Sequence, residues 1–418
     1  MHPGSERSFS FYYLCLILLF LLTTMVHSCA RQDPNTPEPV RNWLRTRHSL
    51  MNELSGIDPD SLMSRMDCAP DACHRLAVFY KIREMGPVDG LKYLDLQSPY
   101  DECRNYRMYN WSLVRYWGAA SVPGLISMMG PEPYNPPRSQ ELGNPLIACE
   151  LLAALDGDAS DAVPPLTQFL SQEFYVGDSV FSPIETLTCI GVGSDQIVDY
   201  GINVLNGSYL GPYDLNYRKT SVCYMLGRLA DPTDRRVIDK IKEYLDLTLQ
   251  PRMPGTFGYS FRDSDAARAA LYMLGVDQDE MLRAIVENGD GYALIRIGDE
   301  QAIEALEEVL SHPVVDPLKW NVYLPLEELC LLGPRDDVME IIIDRLKNWE
   351  TGQDYYLLDL ISSFGPDAID TLPYLLEIYR KRKAEESGLS DGVNRARLLP
   401  LETAIIRVSE GTYWQVDD

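Results

Sequence analysis

The chain reads as all-α, a solenoid of about eight or nine stacked helix pairs. Three observations predict this. First, an apolar run closed by Gly or Asp, then an acid-rich turn, then a second run with helical spacing, recurs at Gly86, Gly118, Asp156, Gly191, Gly227, Gly275, Gly298, Gly333 and Gly365. Second, the intervals repeat: 36 residues from Gly191 to Gly227, 35 from Gly298 to Gly333 and 32 from Gly333 to Gly365, while the 48 and 23 on either side of Gly275 together span two ordinary units. Third, no domain of different pattern interrupts the array, although 418 residues at 45% hydrophobic composition could fill two or three globular domains.

Residues 1–28 read as a secretory signal, in which a short polar start with Arg7 leads into the uncharged apolar stretch Phe9 to Val26. "VHSC", Val26 to Cys29, resembles the bacterial lipobox, with His27 a departure from its usual small or aliphatic residue. The resemblance implies lipidation of Cys29, where several acyl chains anchor what one cannot, at ~0.8 kcal/mol per buried methylene. Residues 29–45 are then a flexible tether, polar and Pro-rich in "ARQDPNTPEPV". The expected location is the cell envelope, lipid-anchored on the periplasmic or extracellular side. A plain secretory signal or a single N-terminal membrane anchor are the alternatives these residues leave open.

Residues 46–110 are expected to form an N-terminal helical cap. Export exposes the chain to an oxidising compartment, so one disulfide among Cys68, Cys73 and Cys103 is expected there, worth about 2–4 kcal/mol. "CAPDACH", Cys68 to His74, is a widened haem-attachment spacing, but it opens an ordinary amphipathic helix and no cofactor is expected. Cys149, Cys189, Cys223 and Cys330 fall in apolar helical runs, as small buried hydrophobes do.

The repeats are expected over 111–380, with a C-terminal cap over 381–418. In each unit the Gly ends the first helix, because a C-terminal turn favours a residue tolerant of positive φ. Asp195, Asp299, Asp336 and Asp367 then serve the start of the second helix. Pro123, Pro164 and Pro373 enter its first turn, where a missing N–H costs least. Neither helix can bury its apolar face alone, so the pairs must stack. The basic cluster Arg380 to Lys383 complements a helix C-terminus.

"DSDAARAALYMLG", Asp263 to Gly275, resembles the HEAT-repeat superfamily in its bacterial HEAT-like form, and "SDAVPPLTQFL" and "DAIDTLPYLL" are similar to that family's second helix. The resemblance runs from near Leu76 to about Tyr379 and implies a right-handed α-solenoid. Several units lack the family's Arg.

No catalytic or metal residue is assigned. "GLSDG" around Ser390 lacks the strand that a nucleophile elbow needs. "DGDASD" from Asp156 starts like a calcium loop but has Asp161 at position six and Thr167 at position twelve. "GVGSDQ" at Gly191 lacks the third glycine of a dinucleotide fingerprint. Beyond the signal only His48, His74 and His312 remain, without metal-ligand spacing. With 62 acidic against 37 basic residues, the field of the chain repels nucleic acid.

The long connections after the second helices carry the candidate partner-binding rings: Tyr175, Tyr209, Tyr213, Tyr217, Phe257, Tyr259, Phe261 and Trp320. Tyr and Trp give large contact area at low entropic cost. The expected activity is therefore binding, through the concave face or these loops, of a protein partner, with a polysaccharide as the other option and no enzymatic role. An exported enzyme or lyase-like HEAT protein is the alternative.

Overall fold

The computed structural model describes residues 35–55, 57, 71–94, 105–129, 143–170, 183–207, 215–250, 261–311, 329, 332–349, 355–385 and 391–414. Among them the regular structure is helical, with no strand, and the helices pack on their neighbours as an α-solenoid. Two helices, α1 (Glu38–Leu54) and α2 (Ala72–Gly90), lead into the pairs α3 (Asn105–Trp117) with α4 (Val122–Met128), α5 (Gly143–Ala153) with α6 (Val163–Leu170), and α7 (Pro183–Ile190) with α8 (Asp195–Leu205). Next come α9 (Leu215–Leu229) with α10 (Arg235–Thr248), α11 (Phe261–Met273) with α12 (Gln278–Asn288), and α13 (Gly291–Ile297) with α14 (Glu300–Ser311). Helix α15 (Asp336–Lys347) is the second member of its pair, and α16 (Tyr355–Phe364) with α17 (Leu372–Glu385) precedes the terminal α18 (Asp391–Val408).

The turns follow the sequence pattern at eight of the nine predicted positions, all of which have positive φ, Asp156 included at +47°. Gly227 is the exception. It lies inside α9, and the turn falls later, where Asp231 accepts from Thr233 N (2.7 Å) and Asp234 caps Arg236 N (2.9 Å). A Cβ at Gly227 would lie 2.7 Å from the Ala270 Cα, so this glycine serves a close approach of α9 to α11 rather than a bend.

The second helices start as expected from the acids and prolines. Asp299 accepts from Ala302 N (2.8 Å), Asp195 and Asp336 lie in the first turns of α8 and α15, and Asp367 lies in the first turn of the 3-10 segment Gly365–Thr371 that leads into α17. Ser194, rather than Asp195, supplies the side-chain cap of α8. Pro123, Pro164 and Pro373 are each the second residue of their helix. The tether is shorter than expected: residues 38–45 already belong to α1, where Val40 and Trp43 are buried in the core and so hold the segment in place.

First helices stack in the order α3, α5, α7, α9, α11, α13, and α16 then packs back on α3. The solenoid is closed. Because α18 also packs on α1 and α2, the two ends of the chain form one seam. Trp414 inserts between Trp43 and Tyr80, with ring centroids 5.5 and 5.2 Å away, and its Nε1 donates to Ile406 O (3.0 Å). No helix among the described residues is long and apolar enough to cross a membrane.

Candidate functional site

Three polar assemblies stand out against the apolar core. The first is the seam. Tyr80 donates to Glu410 Oε2 (2.8 Å), and Arg83 donates to Glu410 Oε1 (2.8 Å). Arg407 of α18 donates to Glu410 Oε2 (3.0 Å), Tyr80 Oη (2.9 Å), Ser112 Oγ (2.8 Å) and Ser362 O (3.3 Å). Its guanidinium lies 4.6 Å from the Phe79 ring centroid and close over Gly365, where an added Cβ would meet it at 3.2 Å. At the rim of the seam Lys383 bonds Glu38 at 2.6 Å. Charges buried this deeply persist because nearly all their bonding capacity is met. The buried groups around Arg407 and Glu410 are committed to holding α2, α3, α16 and α18 together.

The second assembly braces the interior. Arg296 of α13 donates to Glu185 of α7 at 2.8 Å, with side chains 4% and 1% exposed, and Arg296 also donates to the Tyr292 hydroxyl (2.7 Å). Helices α7 and α13 have α9 and α11 between them in the stack, so this bond requires the layer to be sharply curved. Small residues permit it: Ala266, Ala267, Ala269 and Ala270 of α11 are fully buried, and the Tyr224 and Tyr292 rings of α9 and α13 meet at 5.7 Å. Nearby, Asp263 and Asp265 of the family-like motif bond Thr220 (2.6 Å), and Arg268 (2.6 Å) and Asn288 (2.9 Å), respectively. Burial pushes the Asp265 carboxyl up to about 6.

The third assembly faces solvent. Between α14 and α15 lies an open trough of about 1010 Å³, lined by Glu304, Glu307, Glu308, Glu340 and Asp344, with Leu310, Ile341 and Ile343 also lining it. Its bases lie at one end, where Arg345 donates to Leu310 O (3.4 Å) and Lys347 lies 5.8 Å from the Tyr374 ring. Partial burial, then the facing carboxylates Glu340, Asp344, Glu304 and Asp337, raise the Glu307 carboxyl above its ordinary value. The trough thus concentrates negative potential on an accessible concave surface. Its signal in sequence, carboxylates at helical spacing in "IEALEEVL" and "DDVMEIIID" on consecutive second helices, is shared by every solvated helix face.

Most of the sequence-predicted residues lie outside the described residues: Cys29, Cys68, Cys103, Tyr175, Tyr209, Tyr213, Phe257, Tyr259 and Trp320. Tyr217 and Phe261 fall in the first turns of α9 and α11, since those helices start earlier than the loop composition indicated. Cys73 carries no disulfide; burial pushes its thiol up to about 11, with a hydrogen bond from Thr46 opposing. His74 bonds Asp71 (2.9 Å), the N-cap of α2. The calcium-like segment from Asp156 is a turn of 3-10 helix, and among the described residues no group of His, Cys, Asp and Glu could hold a metal ion.

Residues 291–312 match the family model of the PBS lyase HEAT-like repeat. That segment is the pair α13 and α14, whose turn has Gly298 at φ +70° and Asp299 as the cap, and which supplies both Arg296 of the interior brace and one wall of the trough. No curated protein matches the chain. The HEAT-like pair suggests a helical scaffold or a protein-interaction role.

Proposed function

We propose that the chain is an envelope-anchored, non-enzymatic scaffold, held by lipid on Cys29, that binds a protein partner with a basic surface. The observation that carries this reading is the division of polar groups: the deeply buried ones hold the closed frame, while the α14/α15 trough turns its carboxylates outward. A partner rich in Lys and Arg complements such a surface, which raises on-rate and specificity. The long aromatic connections start where second helices end, and two of them leave α14 and α15 at the basic end of the trough. Trp320 lies in one of those connections, and rings of its type are enriched where proteins bind.

Crosslinking capture from the source envelope tests this with three proteins: wild type, Glu304/Glu307/Glu340→Lys, and Tyr213/Tyr259/Phe261→Ser. Loss of capture in the charge-reversed protein, and weaker wild-type capture at high salt, is the expected result. Unchanged capture by both variants, with helicity intact by circular dichroism, removes the reading. Cys29→Ala should shift the protein from the membrane to the soluble fraction, and unaltered partitioning counts against the anchor.

A further inference from the structure

We propose that the seam joining the two ends of the chain is a pH-sensitive latch, shut in acid and released in alkali through Asp359 and Glu402. At the seam Asp359 is buried and Glu402 half-buried, and among the described residues neither forms an ion pair with a cation. Asp359 projects from α16 and is 6% exposed. From α2 it is faced by Arg75, which acts on it through space without forming an ion pair among the described residues. Arg407 of α18 is committed to Glu410, Tyr80, Ser112 and Ser362, and the Ser112 hydroxyl of α3 accepts from that same Arg407.

Glu402 of α18 is worse placed. It is faced by Asp71 of α2, itself bonded to His74, and by Glu38 of α1, so three carboxylates converge. Helix α17 contributes the Tyr379 hydroxyl at 3.4 Å and Lys383, which is already bonded to Glu38. Burial, with Asp71 adding to it at Glu402, pushes both carboxyls up to about 7.

Separating the ends returns both groups to water and to ordinary carboxyl behaviour near 4. The closed state therefore binds more protons than the open one. Closure feels no penalty from these groups below about pH 4, loses stability as pH rises towards 7, and carries the full cost above it. Between pH 5.5 and 8.5 this linkage raises the open fraction roughly thirtyfold per group.

Hydrogen exchange on the full chain in detergent micelles, corrected for intrinsic chemical rates, tests the latch at those two pH values. Peptides from 72–90 and 391–414 should exchange at least tenfold faster at pH 8.5, relative to peptides from 215–250. In Asp359→Asn/Glu402→Gln the difference should vanish, with both peptides protected at either pH. The single Glu402→Gln, at the edge of the seam, should retain about half of the logarithmic effect and serves if the double variant misfolds. Equal seam exchange at both pH values in wild type overturns the proposal. So does a pH effect that the substitutions leave unchanged, or an acceleration shared equally by 215–250.

Discussion

Removing one partner of the Glu185–Arg296 brace is expected to cost far more than removing both. The contact is 2.8 Å between Oε2 and the guanidinium, and both side chains are nearly inaccessible. With charge centres ~4 Å apart and an effective dielectric of ~20, the attraction is ~4 kcal/mol. Glu185→Met takes the buried carboxylate from Arg296, and the Tyr292 hydroxyl and the Cys189 sulfur, 4.0 Å away, carry no compensating charge. Arg296→Met removes the guanidinium that faces the carboxylate of the fully buried Glu185. Each single variant should lose about 3–5 kcal/mol, while Glu185→Met/Arg296→Met, which fills the same space with apolar side chains, should lie within about 1 kcal/mol of wild type. Equilibrium urea unfolding of all four proteins, with hydrogen exchange on α7 and α13 to localise the change, yields the coupling energy of the cycle. If the double variant is destabilised by the sum of the singles, the two residues do not meet and the sharp curvature inferred from them is wrong.

Gly227→Ala should cost about 1–3 kcal/mol, because its Cβ would drive into the Ala270 backbone, whereas Gly333→Ala, at φ +74° with open space around it, should cost only about 1 kcal/mol; thermal unfolding ranks the two. Tyr224→Phe should be neutral or stabilising by up to about 1 kcal/mol, since its buried hydroxyl has no hydrogen-bond partner among the described residues. A clear loss of stability on that change would reveal a partner for the hydroxyl. Glu340→Gln should lower the Glu307 carboxyl towards its ordinary value, as followed by carboxyl-carbon NMR through an acid titration, because Glu340 is the largest of the facing charges that raise it.

The local architecture was legible because it is written in short-range chemistry. A residue that must take positive φ, an acid at a helix start and a proline in a first turn each leave a mark within a few positions, and Gly86 through Gly365 mark the turns in order. Gly227 shows the limit of that code. It carries the same Leu-Gly context as Gly275, yet one glycine turns the chain and the other admits a neighbouring helix, and only the position of Ala270 distinguishes them. Closure was illegible for a different reason. Arg407, Glu410 and Trp414 meet Tyr80 and Trp43 across more than 300 residues, and nothing in a repeat predicts how much each pair bends the stack. The trough was overlooked because its carboxylates differ from an ordinary solvated face only in meeting those of the next helix.

Closure by residues at opposite extremes of the chain also governs how the protein is made. Most contacts here are local and can form as each helix pair emerges, but the Trp43, Tyr80 and Trp414 cluster waits until Trp414 has been made, more than 300 residues after Tyr80. At about 5–20 residues per second, the N-terminal aromatic surface is complete tens of seconds before its cover arrives. During that interval it is an adhesive patch for other unfinished chains. The last step, bringing the ends together, is the one with the greatest loop-closure entropy and the slowest search. A Trp414→Ala chain would still build its helices yet lack the ring that packs on Trp43 and Tyr80, so one side chain governs whether that surface is covered.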